Sequence, residues 1–88
     1  MNKNLIIISA LWCTSCLIVS NNLKQIVNQF PQLNIVNLDF DIDEDKVKEY
    51  NVGNMLPVMI LQDENGNELH RLVGEKTPTE IYDFLNIN

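Results

Sequence analysis

The sequence predicts one α/β domain with the element order βαβαββα, and three observations carry that reading. A β-branched apolar run, Leu5 to Ala10, passes through Trp12-Cys13-Thr14-Ser15-Cys16 into a helical pattern that extends to Gln29. A second apolar run, Leu33 to Phe40, follows that helix, and a helical crossover sets the two strands parallel. Further on, Pro57 to Gln62 and Glu68 to Val73 flank Asn65-Gly66, a dipeptide that tolerates the positive φ of a tight hairpin, so this half is antiparallel. The 88 residues suffice for a single domain, 1–88, and a domain near this size buries only about 60% of its unfolded surface. With 45% hydrophobic and 20% charged residues the composition is that of a globular protein, and three Gly and three Pro leave no room for a flexible linker.

Each element has its own signal. Leu5 to Ala10 is apolar at consecutive positions, as a central strand covered on both faces requires. The helix from about Cys13 to Gln29 repeats apolar side chains at Val19, Leu23, Ile26, Val27 and Phe30, the spacing of one buried stripe, and Pro31 marks its end. Leu33, Ile35, Val36, Leu38 and Phe40 form the second strand. Asp41 or Asp43 caps a short helix running to about Tyr50, with Glu44 and Lys48 in the favourable i, i+4 order. Finally, Thr77-Pro78-Thr79-Glu80 combines an N-cap Thr, a first-turn Pro and a third-position Glu, opening a helix that buries Ile81, Phe84 and Leu85.

Composition also excludes function classes. A net charge of −6 with six scattered basic residues argues against nucleic acid, whose phosphates need clustered Lys and Arg. Asp39, Asp41, Asp43, Glu44 and Asp45 read as a solvated loop and helix start. Residues 4–23 carry no charge, but Ser9, Thr14, Ser15, Ser20, Asn21 and Asn22 interrupt the run, so it reads as strand plus helix rather than a signal peptide or membrane span. The expected compartment is therefore the cytoplasm, where a two-Cys motif is catalytic or metal-binding more often than a permanent staple.

The chemistry concentrates at Cys13 and Cys16. Two thiols separated by two residues at a strand-to-helix junction can close a small reversible disulfide. A helix N-terminus offers unpaired N–H groups and the positive end of its dipole, both of which favour a thiolate. Cys13 is thus expected as nucleophile. Cys16, one turn further in, is expected to attack the mixed disulfide formed at Cys13. Two other readings use the same residues: zinc or copper(I) bound by the thiolates, and a protein-binding module without redox chemistry. A closed zinc site needs four ligands, while the chain offers two Cys and one His, His70, which falls on the fourth strand as a surface or edge residue.

Trp12-Cys13-Thr14-Ser15-Cys16, Asp41, Tyr50-Asn51-Val52, Leu56-Pro57-Val58, Asn65-Gly66 and Gly74 together resemble the thioredoxin superfamily over nearly the whole chain. The resemblance implies a thioredoxin fold: a four-stranded mixed sheet of order 2-1-3-4, strands 3 and 4 antiparallel, flanked by three helices. The form expected from the resemblance is the short one, without the N-terminal strand and helix. It further implies a thiol-disulfide oxidoreductase that reduces protein disulfides, with a redox-active Cys13-Cys16 disulfide, electron transport from a thiol reductase, no bound cofactor and no membrane partner. Pro57 would be a cis-proline beside the dithiol, leaving the Leu56 backbone free to pair with an extended substrate. Trp12, Thr14 and Ser15 would complete the active-site surface. The chain departs from the family where Thr14-Ser15 replaces Gly-Pro, where Ile7 stands at the position of a buried Asp, and where Asn37 aligns with the Lys facing that Asp. Without that Asp, Cys16 is expected to deprotonate less readily. A glutaredoxin assignment fits less well, because a Cys-Pro-Tyr-Cys site and a Gly-Gly-x-Asp segment are both missing and Val73-Gly74-Glu75-Lys76 stands after the hairpin.

Overall fold

Leu5, Ile6 and Ile8 are at most 4% exposed, so the first strand, β1 (Lys3–Ser9), is buried on both faces as its unbroken apolar run requires. The computed structural model describes residues 2–87 and places β1 inside a four-stranded sheet. On one side β1 pairs in parallel with β2 (Leu33–Asp39), Leu5 beside Ile35 and Ile7 beside Asn37. On the other it runs antiparallel to β3 (Val58–Gln62), which pairs antiparallel with β4 (Glu68–Val73). The order β2-β1-β3-β4 is the 2-1-3-4 arrangement of the thioredoxin fold.

Side chains alternate across a strand, so the sheet supports a separate core on each face. Leu5, Met59 and Leu61 pack beneath α1 (Thr14–Lys24) and α3 (Pro78–Leu85), meeting Val19, Leu23, Ile81, Phe84 and Leu85. Ile6, Ile8, Val58 and Ile60 face the other way and are covered by Val47 of α2 (Glu44–Lys48), Leu56 and Leu38. Cys16 belongs to this second cluster, at the end of the sheet where β1 feeds α1. Among the described residues no helix is long and apolar enough to cross a membrane.

Two helices are shorter than the sequence pattern implies. The amides of Gln25 and Ile26 bond to carbonyls three residues back, at 3.3 and 3.1 Å, and Ile26 leaves helical geometry at φ −121°. A 3₁₀ turn at Val27–Gln29 follows, which still delivers Ile26 to the core. Similar i−3 bonds from Glu49, Tyr50 and Asn51 tighten the end of α2, and Asn51 stops it at φ 54°, a conformation Asn tolerates well. Asp43 occupies the N-cap position of α2 without capping through its side chain; its carboxylate accepts from the Asp39 amide at 2.8 Å. Asp39 in turn accepts from the amides of Asp41 and Ile42. The acidic segment thus satisfies its own loop backbone.

At α3 the capping box is complete. Thr77 Oγ1 accepts from the Glu80 amide at 3.2 Å, and Glu80 Oε1 accepts from the Thr77 amide at 3.1 Å. Replacing Thr77 by Ala should destabilise the fold by about 1 kcal/mol, whereas Ile81→Ala, in the fully buried stripe of the same helix, should cost about 2–5 kcal/mol. Urea denaturation of both variants checks the ranking, and equal losses would contradict it.

Candidate active site

Beyond Ser9 the chain leaves the sheet through Ala10, Leu11 and Trp12, and the Cys13 amide donates to the Ala10 carbonyl at 3.1 Å, closing a tight turn. Cys13 keeps an extended backbone, φ −96° and ψ 108°, and is the N-cap of α1. Its sulfur fills the place usually taken by a Ser or Asp oxygen: Cys13 Sγ accepts from the Cys16 amide at 3.2 Å. One turn of helix therefore brings both cysteines together, with the amide of one directed at the sulfur of the other.

The two sulfurs sit in different surroundings. Cys13 is half-buried and reachable, while Cys16 is 6% exposed; both are free thiols. Burial pushes the Cys16 thiol up to about 11, helped by its hydrogen bond to Cys13 and by negative charge there, with a backbone contact at Ala10 working the other way. The proton stays on the inner sulfur and the outer one receives the helix amide. This asymmetry suits a nucleophile backed by a reserve thiol.

The segment before β3 closes one side of the site. The Leu56-Pro57 peptide bond is cis, both residues are buried, and Pro57 and Cys16 line the same cleft. Gly74 holds this segment from beyond β4. Its amide donates to the Pro57 carbonyl at 2.8 Å, its φ is 89°, and a Cβ there would lie 3.4 Å from Met55 Sδ.

Around Cys13 the surface is apolar. Leu11 is 94% exposed and Trp12 64% exposed. Leu17 is also exposed, and an open groove of about 400 Å³ runs past Leu11, Trp12, Cys13, Thr14, Cys16 and Leu17. Trp12 is oriented by the loop after β2, its Nε1 donating to Asp41 Oδ2 at 2.8 Å. Thr14 is exposed and Ser15 half-buried between the cysteines.

Sequence reasoning named Trp12, Cys13, Thr14, Ser15, Cys16, Leu56 and Pro57, and missed Leu11 and Leu17 as part of this surface. A signal for Leu17 was present, since it lies off the Cys16, Val19, Leu23 stripe that α1 buries. His70 lies on β4, exposed, with its ring centroid 5.8 Å from that of Phe84. Among the described residues no group of three or more His, Cys, Asp or Glu is placed to hold a metal ion.

Comparison with known proteins agrees with this geometry. No curated protein matches the chain, whereas many solved structures do. Trxlp from Edwardsiella tarda superimposes with a TM-score of 0.89 at 26% identity, over 98% of this chain and 84% of that one. Mitochondrial thioredoxin 3 from Saccharomyces cerevisiae, in its oxidized form, gives 0.82 at 25% identity, over 94% and 76%. Fasciola hepatica thioredoxin shares the fold at a TM-score of 0.84 and 19% identity, over 96% and 78%. The thioredoxin family model matches residues 1–87, and with the fold and the paired cysteines already in place, the chain belongs to the thioredoxin family.

Proposed function

We propose that the chain reduces protein disulfides through Cys13 and Cys16, a particular case of the thiol-disulfide oxidoreduction that its family and its adjoining cysteines support in general. The observation that carries this reading is the 3.2 Å contact from the Cys16 amide to Cys13 Sγ at the start of α1, beneath an exposed apolar rim. The Cys13 thiolate attacks one sulfur of a substrate disulfide, that S–S bond breaks, and the other substrate sulfur leaves as a thiolate. Cys16 then loses its proton and attacks Cys13 Sγ, releasing the second substrate sulfur with the bonding electron pair. The product is a Cys13-Cys16 disulfide and a substrate reduced by two electrons. A thiol reductase restores the dithiol, and no further cofactor is needed.

In this reading an extended substrate lies against Leu56 and Pro57, with Trp12 and Leu11 covering its apolar side chains. Such a rim is large enough to serve binding alone. Loss of turnover without loss of substrate binding in Cys13→Ser separates the enzyme from a binding module.

Replacing Cys16 by Ser should accumulate a mixed disulfide through Cys13 when the reduced protein meets a disulfide-bonded polypeptide, and peptide mapping by mass spectrometry locates it. Cys13→Ser should trap nothing. Trapping through neither cysteine, or through Cys16 alone, contradicts the assigned roles.

The direction of electron flow can be read from equilibration with glutathione buffers. A potential near about −270 mV supports a reductase, and one near about −120 mV reverses the assignment to an oxidant.

Cys16 also links stability to pH. Its proton is held more tightly in the folded chain, at about 11 against 9.0, so the unfolded chain ionises first as pH rises. This contribution is complete below pH 9 and is lost as pH climbs towards 11. Reduced wild type should therefore lose stability relative to Cys16→Ser across that window. A difference in urea midpoint that stays flat with pH contradicts the burial argument.

A further inference from the structure

Two strands, β2 and β4, form the edges of the sheet, and their sequences treat that exposure differently. β4 carries Glu68, His70 and Arg71, and its register with β3 shifts at Leu61 and Gln62, features that discourage another strand from pairing. From Leu33 to Leu38, β2 has no charge, no proline and no glycine, and its register with β1 is unbroken.

The hydrogen bonds of β2 show which of its backbone groups face outward. The Phe40 amide donates inward to the Ser9 carbonyl, so by the alternation of a strand the even-numbered residues bond to β1 and the odd-numbered ones point away. Both ends of the outer edge are occupied locally. The Leu33 amide donates to the Phe30 carbonyl, and the Asp39 amide and carbonyl are taken by the Asp43 carboxylate and amide. Between these ends the N–H and C=O groups of Ile35 and Asn37 face outward, and among the described residues no strand lies beyond them. The open stretch is centred on Val36, which is 36% exposed.

We propose that this stretch pairs with its own counterpart in a second copy of the chain, antiparallel about a twofold axis at Val36. Ile35 then faces Asn37 of the second copy and Asn37 faces its Ile35, each pair exchanging two backbone hydrogen bonds, while the two Val36 side chains meet at the closely spaced position between them. Charge favours this direction of pairing. The acidic run from Asp39 to Asp45 begins at the end of β2, and an antiparallel partner starts its own run about 20 Å away, beyond the screening length of about 8 Å at physiological salt. The partner's run comes instead to the end of β2 where Lys3 lies beside Leu33, and that lysine is in no ion pair among the described residues. A parallel arrangement would crowd both acidic runs at one end. With so few groups joined, the dimer is a weak one that forms at high protein concentration.

Sedimentation equilibrium of the reduced protein over a concentration series reaching about 1 mM should show monomer passing to dimer. Val36→Lys sets two like charges face to face at the axis and should weaken association roughly tenfold or more. Leu69→Lys, the same charge at a similarly exposed position on β4, should leave association unchanged. In the wild-type protein, the amide resonances of Ile35 and Asn37 should move with concentration while those of β4 stay fixed. Cys13→Ser should dimerise as wild type does, so the dimer and the oxidoreductase reading fail separately. A dimer that Val36→Lys leaves intact, or concentration-dependent shifts confined to other residues, overturns the proposal. So does a protein that stays monomeric up to about 1 mM, whose edge is then open to an extended segment of a different protein.

Discussion

The contact between the Cys16 amide and Cys13 Sγ depends on where β1 ends. β1 is held on both edges, by β2 in parallel and by β3 antiparallel, so its last residues cannot slide without breaking two ladders. That fixes Ala10, whose carbonyl accepts from the Cys13 amide and sets the first residue of α1. A shift of one position would move the sulfur off the N-cap and turn the apolar set Leu5, Ile6 and Ile8 towards the wrong faces. Core and site are therefore specified by the same strand register.

From that constraint follows a division of labour between neighbouring sulfurs. A helix start exposes amides at its end and buries side chains on its inner face, so residues three apart meet different environments. Cys13 faces the groove, and Cys16 joins Ile8, Leu56 and Val58 in the core cluster. The apolar rim adds a second level. Leu11 and Trp12 stand exposed beside the dithiol, and the Trp12 hydrogen bond to Asp41 holds the larger of these side chains in one orientation.

Much of this was legible because the signals are local. The buried run at Leu5, the Asn65-Gly66 turn and the Thr77-Pro78-Thr79-Glu80 box each specify a backbone conformation within a few residues, and each element formed where its pattern lies. Helix ends were less legible. Ile26 and Val27 continue the apolar period of α1, yet the backbone changes to 3₁₀ geometry beneath them, since periodicity reports which side chains are buried and not which hydrogen bonds carry them. Asp43 likewise has the chemistry of a cap, but its carboxylate is taken by the Asp39 amide, a choice set by loop geometry. The Trp12 to Asp41 bond spans 29 residues, and no spacing rule reaches so far.

The pairing of Ile7 with Asn37 places two departures from the family pattern side by side. The resemblance to thioredoxins sets an Asp at the first position and a Lys at the second, and the parallel register makes these residues direct neighbours on one wall of the cleft behind Cys16. Ile7 is half-buried there and Asn37 exposed, and both are uncharged. Neither residue supplies charge to the buried thiol, whose proton is held by burial, by the hydrogen bond to Cys13 and by the charge there.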